Sequence, residues 1–414
     1  MSETAASEAG ILSGLRVIDC GTYIAAPAAA TVLGDFGAEV IKIERPPFGD
    51  PYRFLASVPG MPVSDRNYCW LLDARNKKSV ALNLSDASGR DALLKLIDTA
   101  DVFVTNYQPQ LIAKFQLSYD ALAARNQRLI YASLTGYGET GGDAEKPGYD
   151  MNAYWARSGL METIHNGDAE PCQSPPGFGD HPTAMALFGG IMLALYRRQI
   201  TGRGSKVVTS LAANGVWSNS CLTQAALCGA EFAPASTRGT AINPLVNHYV
   251  TRDGQRFIFC LLDPKKDWEA LCRALDFESL IDDPEFRTPE ARRANGRELV
   301  ERIDHAVAQK DMPEWTVIFS RHDVIWGPVP TVQQVSADPQ MEANGAIVTL
   351  DDPVHGSMKT ISNPLTIAGA PKTPPRAAPE VGEHTAEILR ELGYTAEAIG
   401  DLAARGIAKL SPSS

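Results

Sequence analysis

The sequence lacks the patterns that assign many chains to a class at once. Its seven cysteines are odd in number and form no C-x-x-C pair, so neither a disulfide framework nor a structural zinc site is expected. The longest uninterrupted apolar stretch, Ala184–Tyr196, is well short of the roughly 20 residues that a membrane-spanning helix needs. A P-loop, an H-E-x-x-H helix and a G-x-S-x-G elbow are missing as well, and the histidines are dispersed. These absences point away from a membrane protein, a metalloenzyme and a serine hydrolase.

Positive charge is also scarce. The chain has 38 Lys and Arg residues against 49 Asp and Glu residues, a net charge of −11, and an acidic protein repels nucleic acid. An anionic ligand must therefore be held by a local basic patch. The first ten residues, MSETAASEAG, contain two Glu and neither Lys nor Arg, which is unlike a signal or transit peptide. We expect a soluble cytoplasmic protein with no nucleic-acid or membrane partner.

The first 140 residues contain an alternation of strand and helix signals. Predicted strands are Arg16–Cys20, Glu39–Ile43, Val80–Leu84, Val102–Thr105 and Leu129–Leu134. Predicted helices are Ala28–Gly37, Asp86–Ala100 and Tyr119–Arg125. Repeated βα units predict an α/β fold with a parallel sheet covered by helices, and ligands bind at the carboxyl ends of such strands. The longer gap, Pro46–Asn76, is interpreted as a loop at that edge.

The rest of the chain predicts a long helix, Pro182–Arg198, and then a second α/β unit. The elements expected after the long helix are a strand within TGRGSKVVTSL, a helix at Ser210–Gly229, a strand at Phe257–Leu262, helices at Lys266–Leu275, Gly296–Ala308 and Pro313–Ser320, strands at Ile347–Leu350 and Met358–Thr360, and helices at Thr385–Glu391 and Thr395–Ala404. WGPVPTVQQV, Trp326–Val335, is interpreted as a proline-stiffened link into another helix.

A dense basic run flanks two of the predicted strands. Lys42 and Arg45 end the second strand, while Arg75, Lys77 and Lys78 precede the third. One interpretation is a solvated charged face. The other is a phosphate site, because the arginine fork and the lysine ammonium both suit phosphate oxygens.

An aspartate stands at the predicted start of the long helix. In PPGFGDHP, Asp180 follows Gly177 and Gly179, so it can serve simply as the N-cap. The same position supports chemistry, since the helix dipole stabilises the carboxylate anion and an ionised carboxylate can act as a nucleophile. Backbone N–H groups nearby can hold an oxyanion.

Two glycine patterns carry less weight. GYGETGG, Gly136–Gly142, is either a flexible loop or a glycine-rich lip at the ligand edge. After the first strand the sequence CGTYIAAPAAATVLGDFG contains no G-x-G-x-x-G, so Glu44 alone gives little support to a dinucleotide site.

Taken together, these segments resemble the family III CoA-transferases, to which formyl-CoA transferase, carnitine CoA-transferase and the related α-methylacyl-CoA racemase belong. The similarity runs from about Ile11 to GEHTAEILRELGY and is most specific in V-I-K-I-E-R, G-D and T-G-R-G. The segments that carry it are LSGLRVIDCGTYIAAPAAATVLGDFGAEVIKIERP, NKKSVALNL, DVFVTNYQP, LIYASLTGYGETG and GDHPTAMALFGGIMLALYRRQITGRGSKVVTSL.

The resemblance implies a reaction for Asp180. The family places its catalytic aspartate there, and in the transferases this carboxylate attacks an acyl-CoA thioester, forms a mixed anhydride and then an aspartyl-CoA thioester. The substrates would be an acyl-CoA and a carboxylic acid acceptor, with coenzyme A itself a substrate, and no metal or redox cofactor would be needed. The residues implied at coenzyme A are Arg45, Arg75, Lys77, Lys78, Asn106, Tyr107, Lys114 and Tyr137.

Two departures from relatives narrow this interpretation. The racemase carries His before the Asp of GYDMN, Gly148–Asn152, whereas this chain has Tyr149, a poor proton shuttle near neutral pH. The glycine run of formyl-CoA transferase corresponds to Arg238–Asn243, which holds one glycine, and no tryptophan stands near Leu55. Transfer is therefore favoured over epimerisation, and a mono- or dicarboxylate larger than oxalate is expected.

The resemblance also implies an architecture: a Rossmann-like large domain built from both chain ends, a small middle α/β domain, and two chains interlocked as a homodimer. The limits expected are 1–208 for the first part of the large domain, 209–235 for a linker helix, 236–325 for the small domain, 326–345 for a return linker and 346–414 for the second part of the large domain. A CoA-binding regulator without chemistry and an NAD-dependent oxidoreductase remain the alternatives of other classes.

Overall fold

The computed structural model describes residues 10–167, 169–241 and 243–411, which divide into two compact units. The larger unit holds the described residues of Met1–Glu162, Gln173–Cys228 and Asn344–Ser414, and the smaller unit holds those of Thr163–Cys172 and Gly229–Ala343. Residues 1–9, 168, 242 and 412–414 lie outside the described residues. The domain limits inferred from the sequence stay a prediction.

A seven-stranded sheet forms the centre of the larger unit, in the order β12-β3-β2-β1-β4-β5-β6. Its strands are β1 Arg16–Asp19, β2 Glu39–Glu44, β3 Lys77–Leu82, β4 Val102–Thr105, β5 Ile130–Thr135, β6 Lys206–Ser210 and β12 Ala408–Lys409. All neighbours are parallel except β12, which is antiparallel to β3. The mixed α/β architecture with a parallel central sheet expected from the sequence is confirmed. Because the strand order reverses between β1 and β4, a crevice opens there at the carboxyl ends of the strands.

Helices cover both faces of this sheet, which explains why its strands read as continuous apolar runs. Val17, Val40 and Val104 pack on one face, and Ile18, Ile41 and Phe103 pack on the other. The helices are α1 Ala25–Asp35, α2 Tyr68–Ala74, α3 Ala87–Asp98, α4 Pro109–Phe115, α5 Tyr119–Arg125, α6 Leu160–Thr163, α7 Asp180–Thr201, α8 Leu211–Ser218, α9 Ser220–Leu227, α16 Thr385–Glu391 and α17 Ala396–Ala404.

Helix α7 positions the predicted nucleophile. A stripe at helical spacing, including Leu187, Ile191 and Leu195, is buried, and α7 packs against α1. The helix ends at Gly202, which has φ 71° and donates its N–H to the Arg198 carbonyl at 2.8 Å. It begins two residues before the predicted start, so Asp180 lies inside its first turn.

The segment Pro46–Asn76 is more regular than its sequence suggested. A 3₁₀ helix, Pro51–Ser57, begins after Asp50, whose side chain accepts the N–H of Tyr52. Helix α2 follows, with Asn67 as its N-cap. A π-helical segment, Asp150–Ala156, was also not predicted.

The smaller unit has its own core, in which aromatic side chains pack on one another: Tyr249, Phe257, Phe259, Trp315 and Phe319. Its antiparallel sheet has the order β7-β8-β9. The elements are β7 His248–Val250, β8 Arg256–Phe259, α10 Lys266–Ala274, α11 Pro289–Ala294, α12 Gly296–Val307, α13 Met312–Arg321, β9 Trp326–Pro328, α14 Val332–Ser336 and α15 Pro339–Ala343.

A hairpin of β10 Ile347–Asp352 and β11 Gly356–Ile361 returns the chain to the larger unit. Within the three described ranges, we find no helix with the length and apolar character needed to cross a membrane.

Candidate active site

A cavity of about 510 Å³ opens at the carboxyl edge of the sheet, where the strand order reverses. Its walls come from the loop after β1, with Thr22 and Tyr23, and from the loop after β4, with Asn106 and Tyr107. Asp180 lies in the same wall. Three of the residues singled out in the sequence, Asn106, Tyr107 and Asp180, are therefore brought together.

Asn106 ties the two loops across the crevice. Its Nδ2 donates to the Thr22 carbonyl and its Oδ1 accepts from the Thr22 N–H, both at 2.8 Å. The side-chain amide thus mimics a strand partner at the point where the sheet stops pairing. Tyr107 follows it, and its ring meets Phe115 edge-on at 5.9 Å.

A network of buried charged side chains holds the loop after β1 in place. Lys42 is ion-paired with Asp50 at 2.8 Å, and Lys77 is ion-paired with Asp19 at 2.9 Å. The two carboxylates also accept backbone N–H groups of the loop, Asp19 from Gly21 and Asp50 from Tyr23. The charged residues of the second and third strands therefore hold a cavity wall in place.

This arrangement decides between the two interpretations of the basic run for some of its members. Arg75 and Lys77 are buried, so a solvated charged face is wrong for them. Arg75 forks onto Asp35 at 2.6 and 3.0 Å. Lys78 is one-third exposed and bonded to Glu39 and Glu387. None of these three lysine and arginine side chains is among the residues that line the cavity.

The other predicted contacts for coenzyme A, which are Arg45, Lys114 and Tyr137, are not among the residues that line the cavity. Arg45 and Lys114 are exposed, and Tyr137 is half-buried beside Gly136, which lines the cavity. Sequence reasoning missed Lys146, the one basic side chain among the described residues that line the cavity. It is ion-paired with Asp143 at 2.6 Å. Its place just after the glycine-rich segment Gly136–Gly142 was the available signal.

Asp180 is not the N-cap of its helix. Gly179 occupies that position, without a side-chain cap, and Asp180 is the first residue of α7. Within the described residues, no hydrogen bond or ion pair occupies the Asp180 carboxylate, while Thr183 Oγ1 donates to the Gly179 carbonyl at 2.7 Å. The carboxylate is therefore available to a ligand in the cavity.

The ionisation of Asp180 also differs from the sequence-based expectation. Burial raises its pKa to about 7, and the negative charges of Asp150 and Asp73 act in the same direction, against the positive charge of His181. The helix dipole, worth about 0.3–1 kcal/mol, is too weak to offset this desolvation. Asp180 is thus a basic carboxylate that is about half ionised at neutral pH.

Asp150 is a second carboxylate of the cavity that sequence reasoning did not place there. It begins the π-helical segment and lines the cavity with Tyr149, whose side chain is 56% exposed. Its Oδ2 is buried and has no hydrogen-bond partner within the described part of the chain. A buried acceptor oxygen without a donor can accept a hydrogen bond from a ligand.

We expect Lys77→Met to lower the free energy of unfolding by about 3 kcal/mol, because it removes one partner of a buried ion pair. The nearest remaining cation to Asp19 would be Lys42, at 3.6 Å. Urea titration measures the change. Lys78→Met is the matched control and should cost less than about 1 kcal/mol, since its ion pairs are partly exposed. If Lys77→Met instead kept full stability and weakened CoA binding in calorimetry, Lys77 would be a ligand contact.

Comparison with known proteins agrees with this description of the site. The sequence model described as CoA-transferase family III matches residues 12–385. The (R)-2-hydroxy-4-methylpentanoate CoA-transferase of Clostridioides difficile is 32% identical over 94% of this chain and 98% of its own. The human succinyl-CoA:glutarate CoA-transferase is 31% identical over 96% of this chain and 89% of its own. Among solved structures, a CAIB/BAIF family protein from Brucella suis superposes with a TM-score of 0.81 at 27% identity, over 93% of this chain and 100% of its own.

Proposed function

The chain belongs to CoA-transferase family III and is an enzyme of that family, and we propose that it moves CoA from an acyl-CoA to a free carboxylic acid through covalent intermediates on Asp180. The observation that carries the mechanism is the Asp180 carboxylate, which lies in the wall of the cavity with no partner among the described residues. A carboxylate nucleophile divides one difficult exchange into easier steps.

The proposed reaction exchanges one acyl bond at a time. The Asp180 carboxylate attacks the carbonyl carbon of the donor thioester and the C–S bond breaks. CoA departs as the thiolate, and a mixed anhydride between Asp180 and the donor acid is formed. The thiolate then attacks the aspartyl carbonyl, the donor acid leaves as a carboxylate, and Asp180 carries CoA as a thioester. The acceptor carboxylate attacks the aspartyl thioester and displaces the thiolate, which forms a second anhydride. The thiolate then attacks the carbonyl of this anhydride that comes from the acceptor acid. Acyl-CoA leaves, Asp180 is restored, and no proton or electron is consumed.

The raised pKa of Asp180, about 7, supports the nucleophilic role. A carboxylate destabilised by burial is more basic than one in water, and the charge is relieved when Asp180 becomes an anhydride or thioester. The backbone N–H groups of Gly179 and Asp180 have no acceptor within the described ranges, so they are candidate donors to the oxyanions of these steps.

We propose that coenzyme A lies along the loops after β1, β4 and β5. Asn106 and Tyr107 would contact it, with Tyr137 at the lip, and the exposed cations Arg45 and Lys114 would meet its phosphates. Lys146 joins this set because it lines the cavity. The sequence also placed Arg75, Lys77 and Lys78 near coenzyme A; their present bonds to carboxylates give such contacts less support.

The acid substrates are proposed to be larger than oxalate. Leu55 lines the cavity, and its side chain leaves more room for an acid substrate than a tryptophan at this position would. The relatives named above act on a branched hydroxy acid and on dicarboxylates, which is in keeping with a mono- or dicarboxylate for this chain.

We also propose the interlocked homodimer of the family. Large apolar side chains are exposed along the outer faces of α7, α8 and α9: Leu193, Tyr196, Ile200, Trp217 and Leu227. So many exposed apolar side chains on neighbouring helices indicate that another protein surface covers them. A second copy is the occupant that the resemblance implies. Sedimentation at dilute concentration should give a dimer, and a stable monomer would contradict it.

Oxygen-18 tests the covalent route directly. A panel of acyl-CoA donors, including succinyl-CoA, is incubated for one turnover with acids labelled at both carboxyl oxygens. The mechanism leaves one labelled oxygen in the product thioester and one in the Asp180 side chain, so the Asp180 peptide should gain about 2 mass units by mass spectrometry. If the second labelled oxygen appeared in the released donor acid instead of Asp180, the exchange would be direct and would bypass Asp180.

The alternative with a specific observation behind it is epimerisation, since Asp150 offers a second unpartnered carboxylate oxygen in the cavity. We expect no α-deuterium exchange above background when a 2-methylacyl-CoA is incubated in deuterium oxide. The group standing where the racemase has histidine is Tyr149, and a phenol is a poor base near neutral pH. Rapid exchange, lost in Asp150→Asn or Tyr149→Phe, would promote the racemase over the transferase.

A further inference from the structure

His181, the residue after Asp180, is held by two acceptors. Its Nδ1 lies 3.1 Å from the Gly177 carbonyl oxygen, and its Nε2 lies 3.1 Å from Asp73 Oδ1. A carbonyl and a carboxylate oxygen can only accept, whereas a neutral imidazole has a single N–H. Both contacts can be hydrogen bonds only when the ring is the imidazolium.

The Asp73 carboxylate is itself fixed. It is 4% exposed, and its other oxygen, Oδ2, accepts the hydroxyl of buried Tyr52 at 2.6 Å. Asp73 lies on α2 and His181 on α7, so the contact joins two helices. The ring therefore has little freedom to turn away.

We propose that His181 is a positioning residue whose imidazolium, locked between Asp73 and Gly177, supplies a fixed positive charge beside the Asp180 carboxylate and keeps it in the nucleophilic form. This role rests on the proposed function. His181 would act on Asp180 through its electric field, because the two side chains share no hydrogen bond among the described residues.

The charges around the pair have opposing effects. Asp150 in the cavity and Asp73 behind it both disfavour the Asp180 anion, and His181 is the group that favours it. Burial alone would lower the pKa of His181, but Asp73, the Gly177 carbonyl and Asp180 outweigh it and raise the pKa to about 9. His181 and Asp73 also line an adjoining cavity of about 320 Å³, and the other charged side chain among its described lining residues is Arg75, which is ion-paired with Asp35.

The active pair, anion and cation together, is thus populated between about pH 7 and pH 9. Loss of the cation leaves Asp180 beside two carboxylates that both disfavour its anion, in a partly buried site. The charge of His181 lowers the pKa of Asp180, so its removal should raise that pKa. We expect about 1 unit, the lower end of the effect of a close opposite charge.

The test compares His181→Gln and His181→Arg with the wild type in the pH dependence of kcat/KM. His181→Gln should move the acid limb upward by about one pH unit, which is about a fivefold loss at pH 7. His181→Arg, which keeps the charge, should return the limb toward its wild-type position. Thr183→Ala is the matched control, because it removes a hydrogen bond from the same helix turn without changing charge. It should leave the limb in place.

A titration that needs no turnover separates this inference from the proposed function. In free wild-type protein, nitrogen-15 NMR should show the His181 ring doubly protonated at pH 8, and carbon-13 NMR should show the Asp180 midpoint higher in His181→Gln. Those results would stand even if no acyl-CoA reacted. A neutral His181 ring at pH 8, or an Asp180 midpoint and an acid limb that do not move in His181→Gln, would overturn the role.

Discussion

Replacing Asp180 with asparagine should abolish CoA transfer and at the same time stabilise the folded protein above pH 7. The amide cannot form the anhydride, so turnover should fall on the order of 10⁴-fold or more, as when other covalent nucleophiles are removed. No helix cap is lost, because Gly179 is the N-cap and the Asp180 carboxylate caps nothing. The substitution removes a buried charge that the fold disfavours.

The size of the stability gain follows from the pKa of Asp180, which is raised from 3.8 to about 7 in the folded chain. The folded form holds the proton more tightly than the unfolded form, so the associated stability is complete below about pH 4 and is lost as pH rises through 7. At 1.36 kcal/mol per unit, the loss is at most about 4 kcal/mol, and partial exposure of the side chain reduces it. Asp180→Asn should escape this loss.

Urea unfolding at pH 5 and at pH 8 measures the effect, with transfer assayed on the same samples. The advantage of Asp180→Asn over wild type should be about 1–3 kcal/mol larger at pH 8 than at pH 5. Asp91→Asn, the same change at an exposed position of α3, is the control and should show no such trend. Wild-type turnover in Asp180→Asn, or an advantage that does not grow with pH, would refute the assignment.

The sequence predicted the frame of the fold because the frame follows from local patterns. Val102–Thr105, Tyr119–Arg125 and Thr385–Glu391 were predicted with the bounds that the structure has, since each is a short apolar or amphipathic run with clear ends. The position of Asp180 at the start of a long helix could likewise be predicted from the glycines before it.

Features that depend on distant partners could not be predicted in this way. Lys77 and Arg75 resemble surface charge in the sequence, because Asp19 and Asp35, which neutralise them, lie about 40–60 residues earlier on other elements. The pKa of Asp180 depends on burial and on Asp73, which is 107 residues away. The local sequence indicates the helix dipole but neither the burial nor the distant charges, whose effects on the pKa are larger. The predicted ionisation was therefore wrong in direction.

The contact between Gly179 and Tyr154 is another long-range feature with a large expected effect. A Cβ built on Gly179 would lie 2.4 Å from Tyr154 Cγ and 2.6 Å from its Cβ. Tyr154 cannot easily yield, since it is 3% exposed and its hydroxyl is bonded to Ser218 Oγ at 2.7 Å. Gly179 has φ −92°, a backbone conformation that any residue adopts, so the requirement for glycine here is space alone.

Gly179→Ala should therefore displace the first turn of α7, and Asp180 with it, while the fold is kept. A shift of about 1 Å at a reacting group can cost about 10²-fold in rate, and overpacking of this kind costs about 1–3 kcal/mol. Steady-state kinetics should show kcat reduced by about that factor, with urea unfolding reporting the stability change. Gly400→Ala is the control, because a Cβ at this exposed position of α17, away from the proposed dimer surface, meets nothing within 4 Å. It should leave kcat unchanged and stabilise the helix by up to about 1 kcal/mol. If Gly179→Ala kept kcat within about twofold of wild type, the close packing of Tyr154 would not be what sets the position of the nucleophile.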